Sequence, residues 1–248
     1  MSGAVTLTAP AKLTLILRVT GVRDDGYHLL DAEMVSLDLA DELTFTPGTP
    51  GRAPALTVTG PYAAGIPTGG ENLVAQAMRA VRHVRPPCDV TVDKRIPHGG
   101  GLGGGSADAA AVLRWAGVDD LALAAGIGAD VPFCIRGGRA RVTGIGDVLE
   151  PLPFVERTFT LATPDFGCDT AAVYRAWDDL GGPTAEGPND LEPAALWVEP
   201  RLAPFRDALG ESTGQAPVLA GSGSTWFVPG AHPGPGRIVA RTVAAFAS

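Results

Sequence analysis

The chain has 248 residues, of which 45% are hydrophobic, and its formal net charge is −8. That length accommodates one large domain or two small ones, and the hydrophobic content is typical of a globular protein, which excludes a disordered chain. The negative net charge argues against a nucleic-acid partner, because proteins that bind nucleic acids usually have a basic surface. A small phosphorylated ligand remains compatible, because local backbone dipoles can outweigh the overall charge.

The apolar and metal-binding patterns exclude several further classes. No apolar run approaches the roughly 18 residues of a spanning helix, and the first residues lack the basic and apolar segments of a signal peptide. We therefore expect a cytoplasmic protein with no membrane partner. The three cysteines, Cys88, Cys134 and Cys168, are too widely spaced for a disulfide framework, so we expect thiols. The four histidines show no zinc-ligand spacing.

The first elements in chain order form a hairpin. Residues 12–20 alternate, which predicts a strand with leucines on one face and Lys12 and Thr14 on the other. Lys12 lies at the predicted start of this strand. Asp24-Asp25-Gly26 is a turn signal, and a second extended segment is predicted over 27–38.

Mixed elements follow as far as residue 152. Residues 45–70 are rich in Pro, Gly and Thr, which indicates short strands and loops. Asn72 caps a predicted helix that ends before Pro86, and residues 90–93 read as a strand. Further elements are a helix from Ser106 to near Gly117, a short helix over 120–125 and a strand over 139–143.

The second half begins at a proline-rich boundary, Pro151–Pro153, which divides the chain into predicted domains 1–152 and 153–248. A strand is predicted over 159–162, a helix over 169–179 and a strand near 226–228. Strands and helices mix without strict βαβ alternation, so the predicted fold class is α+β.

The most informative segment is Pro97–Ala111. Six glycines surround Leu102, and Ser106 then opens an alanine-rich run. Glycine reaches positive φ and lets a ligand approach the backbone, and the first N–H groups of a following helix are unpaired. This combination predicts an anion cradle that is best suited to phosphate.

Two other interpretations of the glycines stay open. A glycine run can be a flexible linker, although here it lies between a predicted strand and a strong helix former. Gly99, Gly101 and Gly104 also match the GxGxxG pattern of a dinucleotide-binding oxidoreductase, which is weak evidence so late in the chain. A Walker A loop is excluded, because no Lys-Ser/Thr pair follows.

Lysine usage is uneven. Of the 19 basic residues, only Lys12 and Lys94 are lysines and the rest are arginines. An ammonium is a compact point charge whereas a guanidinium is a planar fork, so a retained lysine indicates a specific requirement. Chance retention is the alternative.

Four segments keep a characteristic order: Ala9–Leu13, Pro97–Ala107, Gly128–Pro132 and Gly221–Ser224. This arrangement resembles the GHMP small-molecule kinases. Gly26–His28 and Asn189–Glu192 make it most similar to members that phosphorylate an alcohol on a cytidine-diphosphate-linked polyol, in non-mevalonate isoprenoid precursor synthesis. The resemblance implies two domains with the active site in the cleft between them, and ATP and Mg²⁺ as cofactors.

The resemblance also assigns roles to individual residues. It implies that Lys12 and Asp130 form the catalytic pair, and that Thr14, Tyr27 and His28 bind substrate. Ser106 is a candidate Mg²⁺ ligand. The residues expected to hold the ATP phosphates are Pro97, His98, Gly99, Gly100, Gly101, Leu102, Gly103, Gly104, Gly105, Ser106 and Ala107.

General chemistry supports these roles, and each has a structural alternative. Phosphoryl transfer depends on positioning and charge stabilisation, and a carboxylate beside an ammonium stays ionised at neutral pH. Alternatively, Asp130 is only a helix cap, Lys12 is a solvated strand end, Tyr27 belongs to the core and His28 merely lies near the surface.

Two departures from the family pattern keep other functions open. Thr14 stands where the family usually has Asn, and a hydroxyl lacks the paired donor and acceptor of an amide. The stretch over 111–128 is also short for the family's two helices. A kinase for another alcohol, such as homoserine or mevalonate, and an inactive nucleotide-binding relic are therefore the rival interpretations.

Overall fold

A computed structural model describes residues 3–49 and 52–247. The first half of the chain forms a six-stranded sheet. Its strands are β1 (Val5–Val22), β2 (His28–Pro47), β3 (Leu56–Thr59), β4 (Cys88–Asp93), β5 (Arg139–Gly144) and β6 (Val148–Pro151). β1 pairs with β2 along most of its length, and the other edge of β2 is shared between β5 and β4. This long central hairpin confirms the predicted turn and extends the second strand beyond residue 38.

β1 departs from the predicted alternation. Lys12 lies inside the strand and not at its start, and Lys12 and Thr14 are buried (5% and 1% exposed) while Ile16 is 41% exposed. Register shifts between Pro10 and Lys12 and between Thr14 and Ile16 rotate the strand locally. The face that carries Lys12 and Thr14 is therefore buried at this point of the strand.

Four helices belong to the first half: α1 (Leu73–Ala80), α2 (Gly104–Ala116), α3 (Leu121–Ile127) and α4 (Val131–Arg136). The predicted cap is confirmed, since Asn72 accepts from the Val74 N–H at 2.8 Å. The predicted start of α2 at Ser106 is wrong by two residues, because Gly103 in the left-handed region already turns the chain into the helix. Its end at Gly117 is confirmed, and α4 was not predicted from the sequence.

The alanine-rich run of α2 is the centre of the larger hydrophobic core. Its residues 107–113 are buried, and they pack with side chains of β2, β4, α1 and α4. Short side chains let the helix axis approach the sheet closely, which fixes the start of α2 relative to β1. The position of the glycine segment therefore follows from core packing.

The second half forms a four-stranded sheet. Its elements are β7 (Thr158–Ala162), α5 (Thr170–Asp179), α6 (Glu192–Val198), α7 (Leu202–Thr213), β8 (Val218–Leu219), β9 (Trp226–Pro229) and β10 (Arg237–Arg241). The predictions of β7, α5 and the strand at 226–228 are confirmed, and Asp169 caps α5 by accepting from the Ala172 N–H. α6, α7 and β10 were not predicted.

The first sheet is formed by residues before 152 and the second by residues after it. Side chains from both halves form a second hydrophobic core. Leu13, Leu37 and Leu102 from the first half pack in one cluster with Phe159 and Phe227 from the second. The mixed architecture confirms the α+β fold class. In the part of the chain that the structure describes, no helix combines the length and apolarity needed to cross a bilayer.

Candidate active site

One cavity has a volume of about 1090 Å³ and is lined by both halves of the chain. The first half contributes β1, the glycine segment and the turn before α4. The second half contributes α5 and the loop that contains Gly221 and Ser222. The segments that carry the sequence motifs therefore converge on one hollow, although they are spread over two hundred residues.

The glycine segment forms hydrogen bonds with both halves of the chain. The Lys12 N–H donates to the Leu102 carbonyl at 3.0 Å, and the Thr225 N–H donates to the Gly100 carbonyl at 3.1 Å. At Gly101 (φ +75°), a Cβ would lie 2.3 Å from the Ala220 carbonyl oxygen. At Gly103 (φ +66°), a Cβ would lie 2.6 Å from Cγ of Lys12. Glycine is required at both positions, and the linker interpretation is wrong.

The dinucleotide-binding interpretation is also wrong. The glycines follow β4, and the next strand along the chain, β5, does not pair with β4, because β2 lies between them and is antiparallel to both. A dinucleotide-binding unit is instead built on a sheet of parallel strands.

Lys12 and Asp130 meet beside this loop. Nζ of Lys12 lies 3.4 Å from Oδ2 of Asp130 and donates to Oγ1 of Thr14 at 3.2 Å. Lys12 is buried, so the solvated strand-end alternative is wrong. Asp130 occupies the N-cap position of α4, but its side chain makes no capping hydrogen bond. Its carboxylate is instead directed to the ammonium, with 31% of the side chain exposed.

The second lysine lies under the same loop. Nζ of Lys94 contacts the carboxylates of Asp41 and Asp108, the latter at 2.7 Å, and would lie 3.2 Å from a Cβ on Gly104. Asp41 also accepts the N–H groups of Arg95 and Ile96 at 2.6 and 2.8 Å. In contrast, Oδ1 of Asp108 has no partner among the described residues.

These contacts set the charges of the buried cluster. Burial raises the pKa of Asp108 to about 8, with Lys94 acting in the opposite direction and the Asp41 carboxylate adding to the increase. Burial alone would lower the pKa of Lys94, but the two carboxylates outweigh it and raise that pKa. Two acids therefore share one ammonium, and Asp108 keeps a proton near neutral pH.

At one end of the cavity, an aromatic cluster surrounds His28. Its Nε2 lies 2.9 Å from Oδ1 of Asp178, and its ring lies 4.6 Å from the Tyr174 ring, between centroids. The His28 side chain is 10% exposed, so it is not a surface residue. Tyr27 lines the same cavity and is 59% exposed, which rules out a core role.

The contribution of α5 to this end was not predicted from the sequence. Thr170, Tyr174, Arg175 and Asp178 all line the cavity. The available signal was the predicted helix over 169–179, in which positions 174 and 178 share a face. Nothing in the sequence showed that this face meets the β1–β2 hairpin.

At the other end, the cavity is mainly apolar. Its lining there includes Val58, Ile66, Pro67 and Leu73, with Asn72 at the start of α1. Val58 lies on β3, which pairs with β4, and β4 leads into the glycine segment. The cavity therefore has an apolar end and an aromatic end, with the loop and the Lys12–Asp130 pair lining it as well.

The loop around Gly221 is held by Asn189. This buried amide donates to the carbonyls of Leu219 and Gly221 at 2.8 and 2.7 Å, and its Oδ1 accepts from the Leu191 N–H. A Cβ on Gly221 would lie 3.5 Å from Nζ of Lys12. The Asn189 motif therefore fixes the main chain that lies against the ammonium.

The chain resembles known kinases over most of its length. Residues 72–138 match the model of the GHMP kinases N terminal domain. It is 39% identical over 238 residues to the 4-diphosphocytidyl-2-C-methyl-D-erythritol kinase of Paracoccus denitrificans, covering 88% of this chain and 84% of the relative. A relative of the same name from Cereibacter sphaeroides is 36% identical over 264 residues, with 96% and 93% covered.

Solved structures give the same result. The crystal structure of a 4-(cytidine 5'-diphospho)-2C-methyl-D-erythritol kinase superposes with a TM-score of 0.72 at 34% identity and covers 90% of this chain and 89% of its own. A homoserine kinase from Cytophaga hutchinsonii shares the fold, with a TM-score of 0.61 at 17% identity and coverage of 99% and 96%.

The fold and the site thus define a small-molecule kinase of the GHMP type. The identity and coverage of the named relatives narrow this class further. The chain belongs to the 4-diphosphocytidyl-2-C-methyl-D-erythritol kinase family.

Proposed function

We propose that this protein transfers the γ-phosphoryl group of ATP to a hydroxyl of 4-diphosphocytidyl-2-C-methyl-D-erythritol. The single observation that carries the proposal is the contact of Lys12 with Asp130 at 3.4 Å beside the glycine loop. Family membership supports the choice of acceptor, since the relatives bear that name. The reaction is a step of isoprenoid precursor synthesis.

The catalytic pair accepts the proton of the acceptor hydroxyl and stabilises the charge that develops on its oxygen. The acceptor oxygen attacks the γ-phosphorus, the bond from that phosphorus to the β,γ-bridging oxygen breaks, and ADP leaves. Asp130 takes the hydroxyl proton, and a positioned base of this kind contributes typically about 10²–10⁴-fold. Lys12 lies 3.4 Å from Asp130 and stabilises the developing negative charge on the acceptor oxygen.

The glycine segment binds the phosphates of ATP. Residues 97–107 place backbone N–H groups at the start of α2, where the helix dipole favours an anion. The apolar end of the cavity, near Leu73 and Pro67, has the character of a site for the adenine ring. Both sets of contacts use main chain and apolar side chains, so they tolerate the overall negative charge of the protein.

Mg²⁺ fits the oxygen donors of this site. No group of three His, Cys, Asp or Glu side chains within residues 3–49 and 52–247 could form an all-protein metal cage. Mg²⁺ in kinases is held by one or two protein oxygens together with substrate phosphates. Ser106 lines the cavity, and its hydroxyl would hold the ion together with the phosphates. When bound, the ion neutralises charge on the β- and γ-phosphates.

The acceptor occupies the aromatic end and approaches the catalytic pair. His28, Tyr27 and Tyr174 offer stacking surfaces and a polar ring nitrogen, which suit a pyrimidine base. Thr14 lies beside Lys12 and contacts the reacting end of the acceptor. In this arrangement the domains 1–152 and 153–248 contribute to one active site in the cleft between them.

The test is an ADP-release assay with the cytidine-linked substrate and ATP. We expect activity in the parent protein and a loss of at least about 100-fold in kcat for Asp130→Ala and for Lys12→Ala, with nucleotide binding retained. Homoserine and mevalonate serve as alternative acceptors in the same assay. Turnover of either in preference to the cytidine-linked substrate would contradict the proposal, as would ATP binding without any turnover.

A further inference from the structure

The cationic side chains of the cavity are not equivalent. Three Lys or Arg residues line it: Lys12, Lys94 and Arg175. Lys12 is paired with Asp130, and Lys94 is paired with two buried carboxylates. Arg175 has no carboxylate or carbonyl partner for its guanidinium among the described residues. It is therefore the one cation in the cavity whose charge the protein has not matched.

The helix that carries Arg175 explains why it is unpaired. Asp178 is three residues further along α5, the spacing at which a carboxylate usually pairs with an arginine on a helix. The Asp178 carboxylate instead lies 2.9 Å from Nε2 of His28. Arg175 is exposed and lines the cavity, so its guanidinium is accessible to an anion supplied from outside.

The position of Arg175 narrows the kind of anion. It directly follows Tyr174, whose ring lies against His28 at the aromatic end. It also shares the cavity with the Lys12–Asp130 pair. The proposed acceptor has a diphosphate between its cytidine and its polyol, and this anionic group would lie between the aromatic end and the catalytic pair.

We propose that Arg175 binds the diphosphate of the acceptor substrate and thereby determines specificity for nucleoside-diphosphate-linked alcohols. This inference rests on the proposed function. A guanidinium presents two parallel N–H donors that match two phosphate oxygens, and this pairing is among the stronger charge-assisted hydrogen bonds. The group remains bound unchanged throughout phosphoryl transfer, so Arg175 contributes to acceptor binding and not to the chemical step.

The proposal separates the two anion sites of the cavity. The glycine loop binds ATP phosphates through main-chain N–H groups, and α5 binds the acceptor diphosphate through a side chain. Loss of Arg175 should therefore affect the Michaelis constant for the acceptor while leaving kcat and the Michaelis constant for ATP nearly unchanged. Alcohols without a diphosphate gain nothing from Arg175, which makes them poor substrates.

The experiment compares the parent protein with Arg175→Gln, Arg175→Lys and, as a matched control, Arg241→Gln. Arg241 is an exposed arginine in β10 and does not line the cavity. The readouts are acceptor kinetics and the affinities for CDP and for cytidine, measured by calorimetry. For Arg175→Gln we expect a roughly 10- to 100-fold weaker affinity for CDP and a similar rise in the acceptor Michaelis constant. Cytidine affinity should stay within about twofold, and Arg175→Lys should recover part of the loss.

Each outcome has a distinct meaning. Equal CDP affinity in the parent and Arg175→Gln would overturn the assignment of Arg175 while leaving the proposed function intact. A parallel loss of CDP and cytidine binding would also overturn it, because the substitution would then act on the base site. A parent protein that binds neither CDP nor cytidine would overturn both the proposed function and this inference.

Discussion

Replacing Asp108 with asparagine should stabilise the protein, and the gain should increase with pH. The carboxyl group is 4% exposed, and its Oδ1 has no partner among the described residues. Burial raises the pKa of Asp108 from 3.8 to about 8. Between these values the folded state keeps a proton on Asp108 that the unfolded state releases.

The magnitude follows from this difference in bound protons. A raised pKa contributes stability that is fully present below about pH 4 and is lost as the pH rises through about 8. The slope is about 1.4 kcal/mol per pH unit, so the parent loses about 3 kcal/mol of this contribution between about pH 5 and pH 7. Asparagine has no such proton and still presents an oxygen to Lys94. The advantage of Asp108→Asn should therefore be about 3 kcal/mol larger at pH 7 than at pH 5.

The assay is urea unfolding of both proteins at several pH values, with the difference in free energy of unfolding plotted against pH. Asp41→Asn is the matched control, because its oxygens accept two backbone N–H groups and the Lys94 ammonium. Placing an amide nitrogen there should destabilise the fold by about 3–5 kcal/mol. A pH-independent difference for Asp108→Asn, or a variant less stable than the parent at pH 7, would refute the assignment of the shared proton to Asp108.

Three further substitutions test how the loops are held around Lys12. Gly103→Ala would place a Cβ 2.6 Å from Cγ of Lys12, so kcat in the ADP-release assay should fall at least about 10-fold. Asn189→Asp replaces the NH2 group, which donates to two carbonyls of the Gly221 loop, by an oxygen that cannot donate, and chemical denaturation should show a loss of about 2–4 kcal/mol. Thr14→Val removes the hydroxyl that accepts from Lys12 and should lower kcat about 10-fold with an unchanged melting temperature; an unchanged kcat would contradict that role.

Local signals in the sequence predicted the elements whose determinants are local. Asn72 and Asp169 cap helices that begin at the next residue, and Gly117 ends α2 in the left-handed region. Each of these depends on a few neighbouring residues, because a side-chain oxygen or a missing Cβ satisfies the helix end directly. The convergence of Lys12 and Asp130 was expected only through the family resemblance, since no local pattern connects residues that far apart.

The features that the sequence did not predict all depend on packing between residues that are far apart in the chain. The sequence of β1 alternates, yet Lys12 and Thr14 are buried because loops from both halves cover that face. The pairing of His28 with Asp178 joins a hairpin to a helix 150 residues later. No pattern in the sequence predicted that Asp108 is buried. A carboxylate in an alanine-rich helix is expected to face solvent, and its buried partner, Lys94, is known only from the structure.

The uneven use of lysine acquires a spatial explanation. Both lysines pack against the glycine segment: a Cβ on Gly103 would overlap Cγ of Lys12, and a Cβ on Gly104 would lie 3.2 Å from Nζ of Lys94. Lys94 pairs with two buried carboxylates and packs against the glycine segment. The partner of Lys12, Asp130, is partly exposed to the cavity, so that pair alone combines a compact cation with an accessible base. A guanidinium at position 12 would be larger and would need several oxygen partners, which this narrow space beside Gly103 does not provide.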